Sequence, residues 1–276
     1  MMLERRRHAF LSYLDRLLSE GRLVLMPAQA QKDMGISKRS FVDAAERQKK
    51  RGRLIMPRRG FYVIVAPQYL ALGAPPPSLY IDKLMRHEGH PYYVGLLKAA
   101  EFHGASHQAV MQFQVVTDKR LPKIRAGRSS IVFYYRKHMD DIAKGLQEHK
   151  TDAGFIKISC IELTMLDLVR YPHAGAGLDN IATVLRDLGA HVDPPTLATL
   201  SSAFERTIIQ RLGYLLDKLG FGERTEPLYE RLSNLHSLPW IELEPVRAAH
   251  NDIKREPIER DERWHVIVRR MLEIDE

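Results

Sequence analysis

Four histidines in two short motifs are the residues best suited to bind a metal ion. His87-Glu-Gly-His90 and His103-Gly-Ala-Ser-His107 space their imidazoles three and four positions apart. Histidines so spaced on one helical face can bind zinc, as in the HExxH motif of metalloproteases. A glycine stands between the histidines of each motif and disfavours a shared helical face. We therefore predict no metal site, and expect a loop histidine and a histidine near the partial negative charge of a helix end.

Acidic side chains that could act as a general acid and base are scattered along the chain. Glu162 and Asp167 lie five positions apart on one predicted helix, a spacing that does not bring them to the same face. Asp118 precedes a predicted strand that bears Arg136 and Lys137, but the Asp…Glu-x-Lys order of a nuclease is absent. These patterns predict no catalytic residue.

Nucleotide-binding motifs are also missing from the sequence. Arg128 lies in AGRSS, which lacks the terminal Gly-Lys-Ser/Thr of a phosphate-binding loop. The adjacent Asp140 and Asp141 point apart and do not match the Gly-Ser…Asp-x-Asp arrangement of nucleotidyltransferases. We predict that the protein is not an enzyme and needs no cofactor.

Basic residues concentrate in the first quarter of the chain. Residues 1–66 hold fifteen Lys or Arg and six Asp or Glu, whereas the remainder holds twenty-seven and twenty-eight, so the net charge of +8 comes wholly from the front. Within it, residues 36–65 carry nine basic and two acidic residues, alternating with apolar ones. This asymmetry predicts an anionic partner, either nucleic acid or an acidic membrane surface.

The elements that must position these cations follow a recognisable order. Helical spacing of apolar residues spans 4–20, a short strand covers 23–26, and a second helix begins at Pro27. Gly35 suits the end of that helix, and Ser37 suits the N-cap of a third. Two short strands then flank residues 57–60. This order of elements is typical of a winged helix-turn-helix.

A winged helix-turn-helix would place particular side chains on DNA. The first turn of the third helix contacts base edges in the major groove, its later cations contact phosphates, and the wing lies beside the minor groove or backbone. The predicted DNA-binding residues are Lys38, Arg39, Ser40, Arg47, Lys50, Arg51, Arg58 and Arg59. The alternative is a solvated basic surface. Membrane binding is disfavoured because the apolar face of the helix is narrow.

A second basic segment, residues 118–128, joins two predicted strands. It carries Lys119, Arg120, Lys123, Arg125 and Arg128. These residues either face solvent only or form a second contact with an anionic partner, DNA or RNA. The rest of this part of the chain is close to neutral, so such a contact would be local.

The predicted fold class is α+β: an N-terminal winged helix-turn-helix, followed by a larger mixed α/β domain that ends in helices. We place domains at 1–66 and 79–245, joined by the Pro-rich segment 67–78, with a charged tail at 246–276 that ends in a helix over 264–274. One helix is predicted over 195–219, and Ser159 and Glu162 are predicted to form a capping box. One cysteine, Cys160, and no long apolar run favour a cytoplasmic location.

Three segments resemble the AbiEi family, the antitoxins of type IV abortive-infection toxin–antitoxin systems. They are YYVGLLKAAEFHGASHQAVMQFQVVTDKR, SCIELTMLDLVRYPHAGAGLDNIATVLRDL and RLGYLLDKLG, and the front, closing on RRGFYVIV, is similar to the N-terminal domain of that family. The resemblance covers about residues 5–240. These motifs mark apolar helices rather than a catalytic site.

The resemblance implies two functions. The N-terminal domain would bind inverted repeats in the promoter of its own operon and repress it, with two copies of the protein on the DNA. The C-terminal domain would counteract an AbiEii-like nucleotidyltransferase toxin without forming a stable complex. Two alternatives stay open: a nuclease-like enzyme targeted by the front domain, and an interaction protein that holds the toxin or an RNA.

Overall fold

The computed structural model describes residues 2–105, 111–233, 238–244 and 256–274. The chain forms two compact units. The first contains residues 1–93, 111–137 and 148–157, and the second contains residues 94–110, 138–147 and 158–276. This division differs from the linear domains expected from the sequence, whose boundaries remain a prediction.

The front of the first unit alternates helices with the strands of a small antiparallel sheet. Its strand order is β1-β3-β2. The elements are α1 (Met2–Ser19), β1 (Val24–Leu25), α2 (Pro27–Met34), α3 (Lys38–Lys50), β2 (Leu54–Arg58) and β3 (Phe61–Ile64). Their order and approximate bounds are those expected from the sequence.

Two local signals fix the tight connection between α2 and α3. Gly35 ends α2 with a φ of 60°, in the left-handed region that glycine adopts without steric cost. Ser37 opens α3, and its hydroxyl accepts a hydrogen bond from the backbone N–H of Ser40 at 3.2 Å. Both predictions are confirmed, and together they set the direction in which α3 leaves α2.

Phe41 anchors the inner face of α3 in the core. Its ring contacts Phe10 of α1 and Tyr62 of β3 edge-to-face, with centroids 5.9 and 5.5 Å apart. The buried Ala44 and Ala45 let the helix approach the other elements closely. Truncation of a buried Phe costs about 3–5 kcal/mol, so these contacts strongly restrain which face of α3 points outward.

Strand β3 is buried on both faces. Tyr62 and Ile64 belong to the core of the helices, whereas the alternate residues Phe61 and Val63 are equally buried on the opposite side. The Phe61 ring lies 5.4 Å from the imidazole of His87. The small sheet is therefore covered by later parts of the first unit as well as by α1 and α3.

A larger sheet, almost all of it in the first unit, has the strand order β6-β7-β5-β4-β9-β8. Strands β5 and β7 pair in parallel, and β6 pairs antiparallel with β7 at one edge. The strands are β4 (Tyr92–Val94), β5 (Gln112–Thr117), β6 (Ile124–Ala126), β7 (Ser129–Tyr135), β8 (Leu146–Thr151) and β9 (Gly154–Ser159). The Pro-rich segment before this sheet forms two 3-10 helices, Pro67–Leu72 and Pro77–Leu79, followed by α4 (Ile81–Glu88).

The second unit is mainly helical. A 3-10 helix over Asp140–Gly145 and a small sheet in the order β10-β12-β11 complete it. Its other elements are α5 (Leu96–Phe102), α6 (Ile161–Arg170), α7 (Leu178–Gly189), α8 (Pro194–Ser201), α9 (Arg206–Lys218), α10 (Gly222–Ser233), β10 (Ile241–Glu242), β11 (Glu259–Asp261) and β12 (Val266–Val268).

The C-terminal segment corrects the predicted terminal helix over 264–274. Strand β12 begins at Val266, whose side chain is buried like that of Val268, while Ile267 between them is half-buried, the two-residue period of a strand. Trp264 is buried in the turn that precedes β12. The indole of Trp264 donates to Asp217 at 2.7 Å. The segment therefore packs against α9 through Trp264 and forms the short strand β12 instead of a helix.

Two other predictions about the second unit are wrong. The helix expected over 195–219 is interrupted between α8 and α9, where the hydroxyls of Ser201 and Ser202 hydrogen-bond the carbonyls three residues earlier and compete with the helical pattern. The capping box is also wrong, because Cys160 occupies the N-cap of α6.

None of the helices in the part of the chain that the structure describes is both long and apolar enough to cross a membrane.

Candidate nucleic-acid interface

The outward face of α3 is a stripe of charged side chains. Arg39, Asp43, Arg47 and Lys50 recur at the i, i+4, i+8 and i+11 spacing of one helical face, and all four are exposed. Lys38 in the first turn and Arg51 just after the helix are exposed as well. The packing of Phe41 on the opposite face holds this stripe toward solvent.

The cations of this stripe have no acidic partner within the described residues. Other cations of the front are paired: Arg53 with Asp15 at 2.7 Å and Lys49 with Glu46 at 2.8 Å. Among the described side chains, no ion pair involves Lys38, Arg39, Arg47, Lys50, Arg51 or Arg59. Their charge is therefore available to an external anion.

Ser40 is half-buried in the first turn of α3, beside the N-cap residue Ser37. Its hydroxyl lies 3.0 Å from that of Ser37. A serine hydroxyl has one donor and two acceptor sites, so this contact leaves capacity for a further hydrogen bond. Lys38 and Arg39 are the more exposed groups of this turn.

The two arginines at the tip of the β2–β3 hairpin have different surroundings. Arg59 is exposed. Arg58 is turned inward: its Nε lies 3.1 Å from a carboxylate oxygen of Glu88, and its Nη2 donates to the carbonyl of Pro122 at 2.6 Å. Its guanidinium also lies over the ring of Phe133, 5.6 Å from the centroid. The structure therefore places Arg58 in an internal network, apart from the exposed set.

The second predicted basic set lies on the segment from Asp118 to the turn between β6 and β7. All of its predicted residues are exposed, namely Lys119, Arg120, Lys123, Arg125 and Arg128. The guanidinium of Arg120 lies 4.9 Å from the centroid of Tyr135. Arg125 is on the edge strand β6, next to β2. The segment is thus part of the sheet edge beside the hairpin.

The histidines form hydrogen bonds within the protein. His87 Nε2 lies 3.1 Å from the carbonyl of Arg59, and His90 Nδ1 lies 2.9 Å from Asp118 Oδ1. His103 Nε2 lies 2.7 Å from the carbonyl of Ser159, whereas His107 is outside the described residues. No cluster of three or more potential metal-ligating side chains occurs in the parts of the chain that the structure describes.

The two acidic residues of α6 that could have acted as a catalytic pair are both buried. Glu162 is buried and accepts a hydrogen bond from the backbone N–H of Asp193 at 2.8 Å. Asp167 is fully buried. Burial also raises the pKa of the Cys160 thiol to about 12, so it is protonated at neutral pH and a poor nucleophile.

Comparisons with known proteins identify the class of the second half of the chain. Residues 93–218 match the sequence profile of the AbiEi antitoxin C-terminal domain. The resemblance to the AbiEi antitoxin family predicted from the sequence is confirmed over these residues. This match supports an antitoxin role in a toxin–antitoxin system, and a toxin as the functional partner. The family is not a family of enzymes.

A solved structure shares the fold over most of the chain. It is titled "Crystal structure of RV2827C protein from Mycobacterium tuberculosis" and matches with a TM-score of 0.67 at 16% sequence identity. The match covers 93% of this chain and 89% of that one. At this identity the likeness concerns the fold alone. No curated protein matches the chain.

Proposed function

We propose that this antitoxin is also a DNA-binding autorepressor whose front, residues 1–66, acts as a winged helix-turn-helix. The supporting observation is the outward stripe of α3, whose cations have no partner among the described acids. The tight α2–α3 connection is the one such a motif needs, with α3 as the recognition helix in the major groove.

Each position on α3 has a distinct expected role. Lys38 and Arg39 in the first turn suit guanine O6 and N7, and the exposed Asp43 suits the amino group of cytosine. Arg47, Lys50 and Arg51 suit phosphates, which supply affinity without sequence preference. Six to eight phosphate contacts give a log–log salt slope of roughly −5 to −7.

The proposed operator contains inverted repeats in the promoter of the operon that encodes this chain. Two copies of the protein then bind with matching two-fold symmetry. The C-terminal domain counteracts a nucleotidyltransferase toxin without forming a stable complex with it.

A binding experiment tests the DNA-binding proposal. Fluorescence anisotropy would measure the affinity of the full chain for the upstream region and for a scrambled duplex of equal length. Lys38→Ala combined with Arg39→Ala should reduce discrimination by ~1–3 kcal/mol for each lost base contact. The matched control is Lys150→Ala with Lys157→Ala, two exposed cations on β8 and β9. Unchanged discrimination in the Lys38 and Arg39 variant would refute the recognition-helix assignment.

The antitoxin function needs a separate test, because it is assigned to a different part of the chain. Co-expression with the toxin encoded beside it should restore growth. The Lys38→Ala, Arg39→Ala variant should still restore growth while losing repression of a promoter fusion. A stoichiometric complex of toxin and antitoxin on co-purification would instead favour direct sequestration.

A further inference from the structure

Residues 87–90 contact both the hairpin of the proposed winged helix and the start of the basic segment 118–128. The carboxylate of Glu88 pairs with Arg58, and His87 bonds the carbonyl of Arg59. Two residues further on, His90 bonds the side chain of Asp118. One short stretch of chain therefore holds the hairpin and the basic segment side by side.

Direct contacts join these two parts as well. Arg58 spans the gap between them with its 2.6 Å hydrogen bond to the carbonyl of Pro122. Strand β6, which carries Arg125, lies alongside β2. Lys123, the third cation of the basic segment, thus directly follows a residue that contacts the hairpin.

The far end of the basic segment is held by backbone packing. The N–H of Arg128 donates to the carbonyl of Leu72 at 3.0 Å. Gly127 has a φ of 57°, and a Cβ at this position would lie 2.1 Å from the same carbonyl oxygen. Only glycine fits there without displacing the backbone. The segment is therefore anchored along its length, unlike a free solvated loop.

The charge of this anchored segment points outward. Its five cations are exposed, and its single acid, Asp118, faces His90. Arg58 at the centre of the contact is already neutralised by Glu88. The cations left to an external anion are therefore Arg59 on the hairpin and those of the segment.

We propose that the segment 118–128 extends the DNA-binding surface beyond the winged helix and contacts phosphates that flank the site bound by α3. This inference rests on the proposed function. Lys123 and Arg125 are the central contacts, and Arg58, Glu88 and His90 are positioning residues that hold the segment beside the hairpin. A duplex is favoured over an acidic protein because the segment adjoins the exposed Arg59, and a duplex presents phosphates continuously along its length.

The salt dependence of DNA binding tests this inference. Lys123→Ala with Arg125→Ala should reduce the magnitude of the log–log salt slope by about 1.8, since each lost phosphate contact is worth about 0.9. Operator and scrambled DNA should weaken alike, so their affinity ratio stays constant. The control is Lys150→Ala with Lys157→Ala, which removes the same charge from the strands at the opposite edge of the sheet and should leave the slope unchanged.

The outcomes separate this inference from the proposed function. An unchanged slope in the Lys123 and Arg125 variant, with discrimination still lost in the Lys38 and Arg39 variant, overturns the extended surface alone. No effect in either variant overturns both. If the Lys123 and Arg125 variant binds DNA normally but no longer binds RNA or the purified toxin, the inference is overturned and the segment is assigned to that other partner.

Glu88→Gln tests the positioning role, since it removes the charge and keeps the side-chain size. We expect the salt slope of DNA binding to be smaller in magnitude than in the wild type. Adding Glu88→Gln to the Lys123 and Arg125 variant should reduce that magnitude no further. If the changes in slope caused by the two sets of substitutions add fully, Glu88 does not act through the segment. Gly127→Ala provides a second displacement of the segment, and far-UV circular dichroism of each variant checks that the chain is folded.

Discussion

The Nε of Arg58 lies 3.1 Å from a carboxylate oxygen of Glu88, and the two side chains are only 18% and 17% exposed. The neighbouring Arg59 is exposed. Adjacent arginines at one hairpin tip therefore have different functions. Arg58 fastens the hairpin to the rest of the first unit, and Arg59 remains available to an external anion.

Substitution of the two arginines should separate stability from binding. Arg58→Ala removes an ion pair, a hydrogen bond to a carbonyl and a contact with Phe133, so we expect the unfolding free energy to fall by about 1.5–3 kcal/mol. Arg59→Ala should leave stability unchanged and reduce the magnitude of the log–log salt slope of DNA binding by about 0.9. Urea denaturation and anisotropy titrations measure the two effects. Equal loss of stability in both variants would contradict the distinction.

Gly213 on α9 should not tolerate a methyl group. A Cβ there would lie 2.3 Å from the ring of Trp264, and overpacking of this kind costs about 1–3 kcal/mol. We expect Gly213→Ala to lower the midpoint of thermal unfolding, although this substitution stabilises an ordinary helix. Adding Trp264→Leu should reduce the penalty of the alanine.

The matched control for Gly213 is Gly222→Ala, because the nearest atom to a Cβ at Gly222 is the Asp217 carboxylate oxygen at 3.6 Å, an ordinary contact. Its unfolding midpoint should stay the same or rise. A stabilised Gly213→Ala variant would show that the C-terminal segment does not pack on α9.

Asp179 gives the second unit a pH-dependent contribution to stability. Hydrogen bonds from the Arg270 side chain and the Glu273 backbone N–H lower its pKa below the ordinary 3.8, against the opposing effect of burial. A carboxyl whose folded-state pKa is lowered stabilises the fold above its unfolded pKa, and this contribution is lost as the pH falls through the folded value.

Asp179→Asn should therefore reduce stability at neutral pH, and its difference from the wild type should start to shrink only below about pH 4 and vanish as the pH falls through the folded-state pKa. We expect a difference of at most about 1 kcal/mol at pH 7, since Asp179 is 37% exposed and screened by solvent. Urea denaturation between pH 2.5 and 7 measures it. The exposed Glu230→Gln serves as a control. A constant difference across this range would exclude the linkage.

The front of the chain could be predicted because its signals are local. Gly35, Ser37 and the helical spacing around Phe41 each act within one or two turns, so the sequence alone places the stripe of α3 on the surface. The contacts of residues 87–90 could not be predicted, because Glu88 and His90 bond residues roughly thirty positions away. No local pattern identifies those partners.

Two errors in the second half had signals within the sequence. The segment WHVIV is rich in β-branched side chains, which favour a strand. Ser201 and Ser202 mark the interruption between α8 and α9. In both places the longer apolar pattern predicted a helix, whereas a shorter local feature determines the structure. Gly127 is different, since its need for glycine arises only when Leu72 packs against it.

The burial of β3 on both faces limits how this protein can be rearranged in evolution or by design. A graft of residues 1–66 onto another protein would uncover Phe61 and leave Arg58 without Glu88. A change in the proposed DNA preference must therefore be confined to the outward positions of α3, which can vary without disturbing their neighbours. Exchange of the hairpin itself requires compensating changes at residues 87–90.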